Sequence, residues 1–209
     1  MKQIFLYIAF TTALVACASA KPSTPAIWRA CDNDNCLYLL GSFHALQSTD
    51  YPMSNAVQKA YADAELLVFE VAPDQLLSQE LVLEMQKTGL LPASQQLQQL
   101  LPEKTWGLIL KWIEKNPSYT INVVQRLKPW YLALIITNSH AKTKGFESDN
   151  GVDQHFMSQA KGNKKPSIGL EKAQQQIGLF NDMKLATQIE LLQESLQPID
   201  KKNNELEQL

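Results

Sequence analysis

The sequence predicts an α/β (α+β) fold: a small mixed or parallel sheet with an N-terminal β-hairpin and a large helical insertion. Three observations predict it. Short apolar runs of strand length recur at Leu37–Leu40, Leu67–Phe69 and Ile168–Leu170, and helical patterns follow the last two. A cluster of turn-forming residues, Asp32-Asn33-Asp34-Asn35, separates Ala26–Ala30 from Leu37–Leu40, as in a hairpin. Between Asp74 and about His140 the apolar residues shift to helical spacing and prolines mark the starts of new segments.

At 209 residues, 45% hydrophobic and 19% charged, the chain is long enough to bury one sizeable core. A net charge of −2 with mixed signs and no arginine-rich stripe argues against a nucleic-acid partner. The 3 cysteines make neither a disulfide scaffold nor a Cys-x-x-Cys metal site.

Residues 1–16 read as a signal peptide. Met1-Lys2 is the positive start, and Ile4–Val15 is an apolar run too short to span a bilayer. Leu14-Val15-Ala16-Cys17 resembles a bacterial lipobox, in which Cys17 is lipidated and becomes the first mature residue. Ala18-Ser19-Ala20 offers an alternative, with ordinary cleavage after residue 20. Both readings export the protein, either as a membrane-anchored lipoprotein of the outer-membrane or periplasmic face or as a periplasmic or secreted chain. Export gives Cys31 and Cys36 their meaning. They flank the four-residue turn and can face each other across the hairpin, and in an oxidising compartment such a pair is expected to form a disulfide.

The main domain is expected over residues 26–197. After Leu37–Leu40 the chain reaches Gly41-Ser42-Phe43-His44, which places an imidazole on a loop at the end of a strand. Tyr51-Pro52 precedes a helix carrying Ala56, Val57, Ala60 and Tyr61, and the strand that follows ends at Glu70. Leu76, Leu77, Leu81, Val82 and Met85 form a helical face broken by Gly89, and Pro92, Pro102, Pro117 and Pro129 open further segments. Trp106, Trp112 and Trp130 within them suit core packing better than a cofactor site. Val152–Ala160 reads as an amphipathic helix, and the run Ser167–Glu171 leads to a helix over Lys172–Phe180. Leu185, Ile189 and Leu192 make a last helical face, with a polar tail expected over residues 198–209.

If the three apolar runs are parallel neighbours, His44, Glu70 and Glu171 converge on the carboxyl edge of the sheet, where open α/β sheets bind ligands. One imidazole and two carboxylates are the ligands of a catalytic divalent cation, or the base and acid of a hydrolytic site. A plainer reading also stands. A loop histidine is often only hydrogen-bonded, and a glutamate at a strand end often caps the next helix. His140, beside Lys142, is expected to be solvated. Asp153 and His155 differ by two on a helix and so point apart, and Asp153 suits the dipole at the helix start.

These residues carry a family resemblance. Leu-Tyr-Leu-Leu-Gly-Ser-Phe-His at residues 37–44, then a proline, then Leu-Leu-Val-Phe-Glu ending at Glu70, resembles the TraB/PrgY/GumN family, related to the Tiki proteases. Lys128-Pro129-Trp130-Tyr131, Gly151-Val152-Asp153-Gln154 and Gly169-Leu170-Glu171-Lys172-Ala173-Gln174-Gln175-Gln176 extend it in the same order. The resemblance implies an α/β fold with inserted helices and peptide hydrolysis that depends on a divalent metal, manganese, cobalt or zinc, with no organic cofactor. His44 is implied as a metal ligand, Glu70 as a ligand or general base, and Glu171 as a further active-site carboxylate. The implied partners are a peptide or small envelope ligand and, through the lipid anchor, the membrane. Family members carry a second Gly-x-x-His near their carboxyl end. This sequence has none besides Gly41–His44, so a member cut short is expected, without one metal ligand and without part of the sheet over the site. The alternative function is then an inactive member that binds a peptide or pheromone-like ligand or assists polysaccharide biosynthesis.

Overall fold

The structure, a computed structural model, describes residues 25–206 except Leu77, with side chains through Ile199. The lipobox and Cys17 lie outside the described residues.

The hairpin forms as the turn cluster predicts. Strand β1 (Ile27–Cys31) pairs antiparallel with β2 (Cys36–Leu40), in a register that sets Cys31 opposite Cys36. Asp32 fixes the turn by accepting from the backbone N–H groups of Asp34 and Asn35 at 3.0 and 2.6 Å. The two cysteines are joined in a disulfide. Helix α1 (Asn55–Asp63) starts at Ser54, whose hydroxyl accepts from Val57 N–H. It leads into β3 (Leu67–Val71), which pairs in parallel with β4 (Ser167–Glu171). Gly169 sits where the backbone of β3 at Val71–Ala72 comes so close that a side chain would have no room.

The expectation that all three apolar runs are parallel neighbours is corrected here. Strands β3 and β4 are neighbours, but the hairpin is a separate two-stranded sheet. Ile27 and Leu40 pack on the same small core as Leu67 and Phe69, so the hairpin shares that core without joining its hydrogen-bond ladder.

Among the described residues the insertion carries the helices α2 (Pro73–Leu76), α3 (Gln79–Thr88), α4 (Leu97–Leu100), α5 (Glu103–Lys115), α6 (Ile121–Val124) and α7 (Pro129–Thr143), with an isolated β-bridge between Leu90 and Leu127. Proline at the first position of α7 supplies a preset φ where the missing N–H costs nothing. Arg126 ties the irregular stretch before α4 by donating to the carbonyls of Leu91 and Gln95, each at 2.8 Å. After α7 come α8 (Val152–Asn163), then β4, α9 (Ala173–Asn181) and α10 (Leu185–Leu206).

Two apolar clusters hold the chain together. The larger lies among α5, α7 and α10 and contains Trp106, Ile109, Trp112, Leu132, Ile136, Leu192, Leu196 and Ile199, while Trp130 is also fully buried. The tryptophans are therefore packing residues, as their spacing predicts. The smaller holds Val57, Phe69, Val152, Phe156 and Met157 and joins α1, β3 and α8. The last helix does not end where the tail was expected. It continues through Pro198, because Leu192, Leu196 and Ile199 fall on one buried face and outweigh the hydrogen bond that proline cannot donate. No helix among the described residues is long and apolar enough to cross a membrane.

Candidate functional site

The loop after β2 is latched to the segment before α8. Leu46 and Glu147 exchange backbone hydrogen bonds, at 3.3 and 3.0 Å. Val152 N–H donates to Phe43 carbonyl at 2.9 Å, and Gln47 amide donates to Lys144 carbonyl at 2.7 Å. Gly151 lies against the His44 carbonyl, where a Cβ would come within 2.5 Å of the oxygen, so only glycine permits this approach.

The latch brings two side chains together from 109 positions apart. His44 Nδ1 lies 2.8 Å from Asp153 Oδ2. The imidazole is 77% exposed and the carboxylate 22%. The hydrogen bond uses Nδ1 as donor, which leaves Nε2 facing outward as a proton acceptor or ligand atom. Asp153 also stands in the first turn of α8, where the helix dipole favours its charge. Its role as a complement to the dipole is thus kept, and its partnership with His44 is added to it.

Glu70 and Glu171 stand at the carboxyl ends of adjacent strands, as their spacing predicts. Gln176, on the first turns of α9, donates to Glu70 Oε2 at 3.3 Å and to Glu171 Oε2 at 3.4 Å. Both carboxylates are exposed. By strand alternation Glu70 shares a face with Val68, and Ile168 and Leu170 continue that face on β4; all three apolar residues are exposed, Leu170 by 76%. A parallel pair is ordinarily covered on both faces, and among the described residues this one is covered on one.

The structure therefore links the candidates in two groups, His44 with Asp153 directly and Glu70 with Glu171 through Gln176, although the two glutamates leave opposite faces of their strands. Among the described residues no three His, Cys, Asp or Glu side chains form a group able to hold a metal ion. Sequence reasoning passed over Asp153 and Gln176 as site residues. The signals for both were present in Gly151-Val152-Asp153-Gln154 and in the glutamines after Glu171. His140, expected to be solvated, is half-buried, and burial and then Lys144 push its pKa below the ordinary histidine value.

The chain is thus a mixed α/β protein with two candidate groups, an exposed, carboxylate-oriented imidazole on the loop after β2 and two carboxylates at the strand ends of β3 and β4. The chain belongs to the TraB/PrgY/gumN family, whose pattern matches residues 26–209. No curated protein and no solved structure matches it.

Proposed function

We propose that the chain is an exported hydrolase of the cell envelope that acts on peptides, with His44 as its proton-accepting side chain. The observation that carries this reading is the 2.8 Å bond from His44 Nδ1 to Asp153, which orients the ring and leaves Nε2 open. Water adds to the substrate carbonyl as its proton passes to Nε2, and the leaving amine takes that proton as the peptide bond breaks. Asp153 supports the imidazolium that forms in between. Glu70, Glu171 and Gln176 offer a polar edge at which a peptide backbone can be held. The peptide substrate rests on the family resemblance, and export rests on residues 1–20 together with the disulfide, which suits an oxidising compartment. Lipidation at Cys17 supplies the membrane anchor.

A divalent metal, manganese, cobalt or zinc, belongs to the family-level expectation, and the described residues do not build a site for it. Three protein ligands are the usual minimum for a catalytic zinc, and among the described residues His44 has Asp153 beside it and no third donor. No step is therefore routed through a metal. That same observation, with the exposure of His44, favours a second reading, in which the chain binds a peptide or small envelope ligand without turnover.

One experiment separates the two. The full chain is incubated with a mixed peptide library, alone and with each of the three metals, and compared with His44→Ala. Cleavage by the wild type that His44→Ala abolishes supports the hydrolase. Binding without cleavage under every condition supports the second reading. A parallel metal titration that finds tight binding lost in His44→Ala would restore the metal to the mechanism.

A further inference from the structure

A second concave site lies on the other side of α8. His155 is two residues beyond Asp153, roughly 200° further round the helix, and so faces away from the His44 pair. Between α1 and α8 the surface opens into a cleft of about 780 Å³, within the range of small-molecule sites. Its walls are aromatic. Tyr51 and His155 are in ring contact at 4.7 Å, and Tyr61 stacks on buried Phe156 at 5.2 Å. Tyr61 is fixed from behind by Lys165, whose ammonium sits 4.3 Å from its ring and donates to the carbonyls of Tyr61 and Ala64.

The polar groups of the cleft are neutral. No Asp, Glu, Lys or Arg lines it. Burial pushes the pKa of His155 below the ordinary histidine value, which keeps the ring uncharged at neutral pH. Three amides surround the rings: Gln58 from α1, and Gln159 and Asn163 one turn apart on α8. Gln58 donates to Met53 carbonyl at 2.6 Å, and Gln159 is 3.1 Å from His155 Nε2. With neutral His155 accepting that bond, each glutamine keeps a carbonyl for a ligand. Asn163 donates to Tyr61 hydroxyl at 3.1 Å, which leaves the Tyr61 proton to be donated onward.

The geometry points to a binding site for a neutral carbohydrate of about two sugar rings. A sugar presents two apolar C–H faces that lie on aromatic rings, and a rim of hydroxyls, each both donor and acceptor. Tyr51 supplies an aromatic face for the first; Phe156 and Lys165 cover the Tyr61 ring, so Tyr61 offers its hydroxyl, and with Gln58, Gln159 and Asn163 it supplies the mixed donors and acceptors the second requires. Phosphorylated or acidic sugars find no cation among the lining residues, and amino sugars find no carboxylate. The site is independent of the reaction proposed at His44.

The test is ligand-observed saturation-transfer NMR with titration of the full chain, using cellobiose, maltose and di-N-acetylchitobiose and, as a competitor, a proline-rich decapeptide. At least one disaccharide is expected to bind with a millimolar or tighter Kd that is insensitive to salt. Gln159→Ala and Tyr61→Phe each weaken it about tenfold or more, and His44→Ala leaves it unchanged. Gln58→Ala, at an exposed position where folding is not at risk, is expected to weaken it likewise. The proposal is overturned by no binding of any disaccharide, by binding that survives Gln159→Ala and Gln58→Ala, or by the peptide binding in the cleft in place of the sugars.

Discussion

His44 Nδ1 and Asp153 Oδ2 are 2.8 Å apart, and that bond joins the loop after β2 to the first turn of α8. Backbone hydrogen bonds on both sides of it, from Val152 to Phe43 and between Leu46 and Glu147, hold the two segments together independently of the side chains. The imidazole is thus oriented by the fold and by its partner together.

Asp153→Asn tests that orientation directly. An amide cannot hold the Nδ1–H tautomer as a carboxylate does, so both tautomers of His44 become populated. Nitrogen-15 NMR of the imidazole should show one predominant tautomer in the wild type and a mixture in the variant, and activity should fall by roughly 10- to 100-fold. An unchanged spectrum would show that Asp153 does not position the ring.

The disulfide is expected to act locally. Cys31 and Cys36 close a short loop in an exposed hairpin. Chain-entropy arguments give about 2 kcal/mol for a loop of this size. Cys31→Ser with Cys36→Ser should speed amide exchange across Ile27–Leu40 while exchange in α7 and α10 stays slow. Equal acceleration in the helices would mean that the hairpin supports the whole fold.

Core and sheet-face leucines should behave oppositely. Leu196 is fully buried between α10 and the inserted helices, so Leu196→Ala should cost about 2–5 kcal/mol in urea unfolding. Leu170 is 76% exposed, and Leu170→Ala should stay within about 0.5 kcal/mol. A large loss at Leu170 would show that something covers this face.

Acid should weaken the fold before the carboxylates titrate. Burial lowers the pKa of both His140 and His155, with Lys144 adding to the effect at His140. In the folded state both therefore bind protons later than in the unfolded chain, whose histidines titrate near about 6.5. The unfolded state binds more protons in that window, so stability is full above it and declines as pH falls through the lowered folded values. The thermal midpoint should drop as the pH falls below about 6.5, and His140→Gln with His155→Gln should flatten that slope. An identical slope in the variant would remove both histidines from the account.

Much of the fold was legible because its signals are local. The turn at Asp32–Asn35, the strand lengths and the proline at the start of α7 depend on neighbours a few residues away. Strand partnership does not. Leu37–Leu40, Leu67–Phe69 and Ile168–Leu170 look alike as sequence, yet only the last two share a ladder, while the first pairs with Ile27–Cys31 in its own hairpin. The continuation of α10 past Pro198 was hidden for a similar reason, since the buried face of Leu192, Leu196 and Ile199 needs α7 to be visible. In the site, Glu70 and Glu171 were legible as strand ends. Asp153 was marked by Gly151-Val152-Asp153-Gln154, but its pairing with His44 was not, because a contact across 109 positions leaves no periodic trace.

The central claim is that His44 is the proton acceptor of a peptide-cleaving site. Mass spectrometry of a peptide library incubated with the full chain, its His44→Ala variant and its Asp153→Asn variant tests it most directly. The account predicts new cleavage products with the wild type, none with His44→Ala and roughly 10- to 100-fold fewer with Asp153→Asn. No cleavage by the wild type under any metal condition, or equal cleavage by His44→Ala, would contradict it.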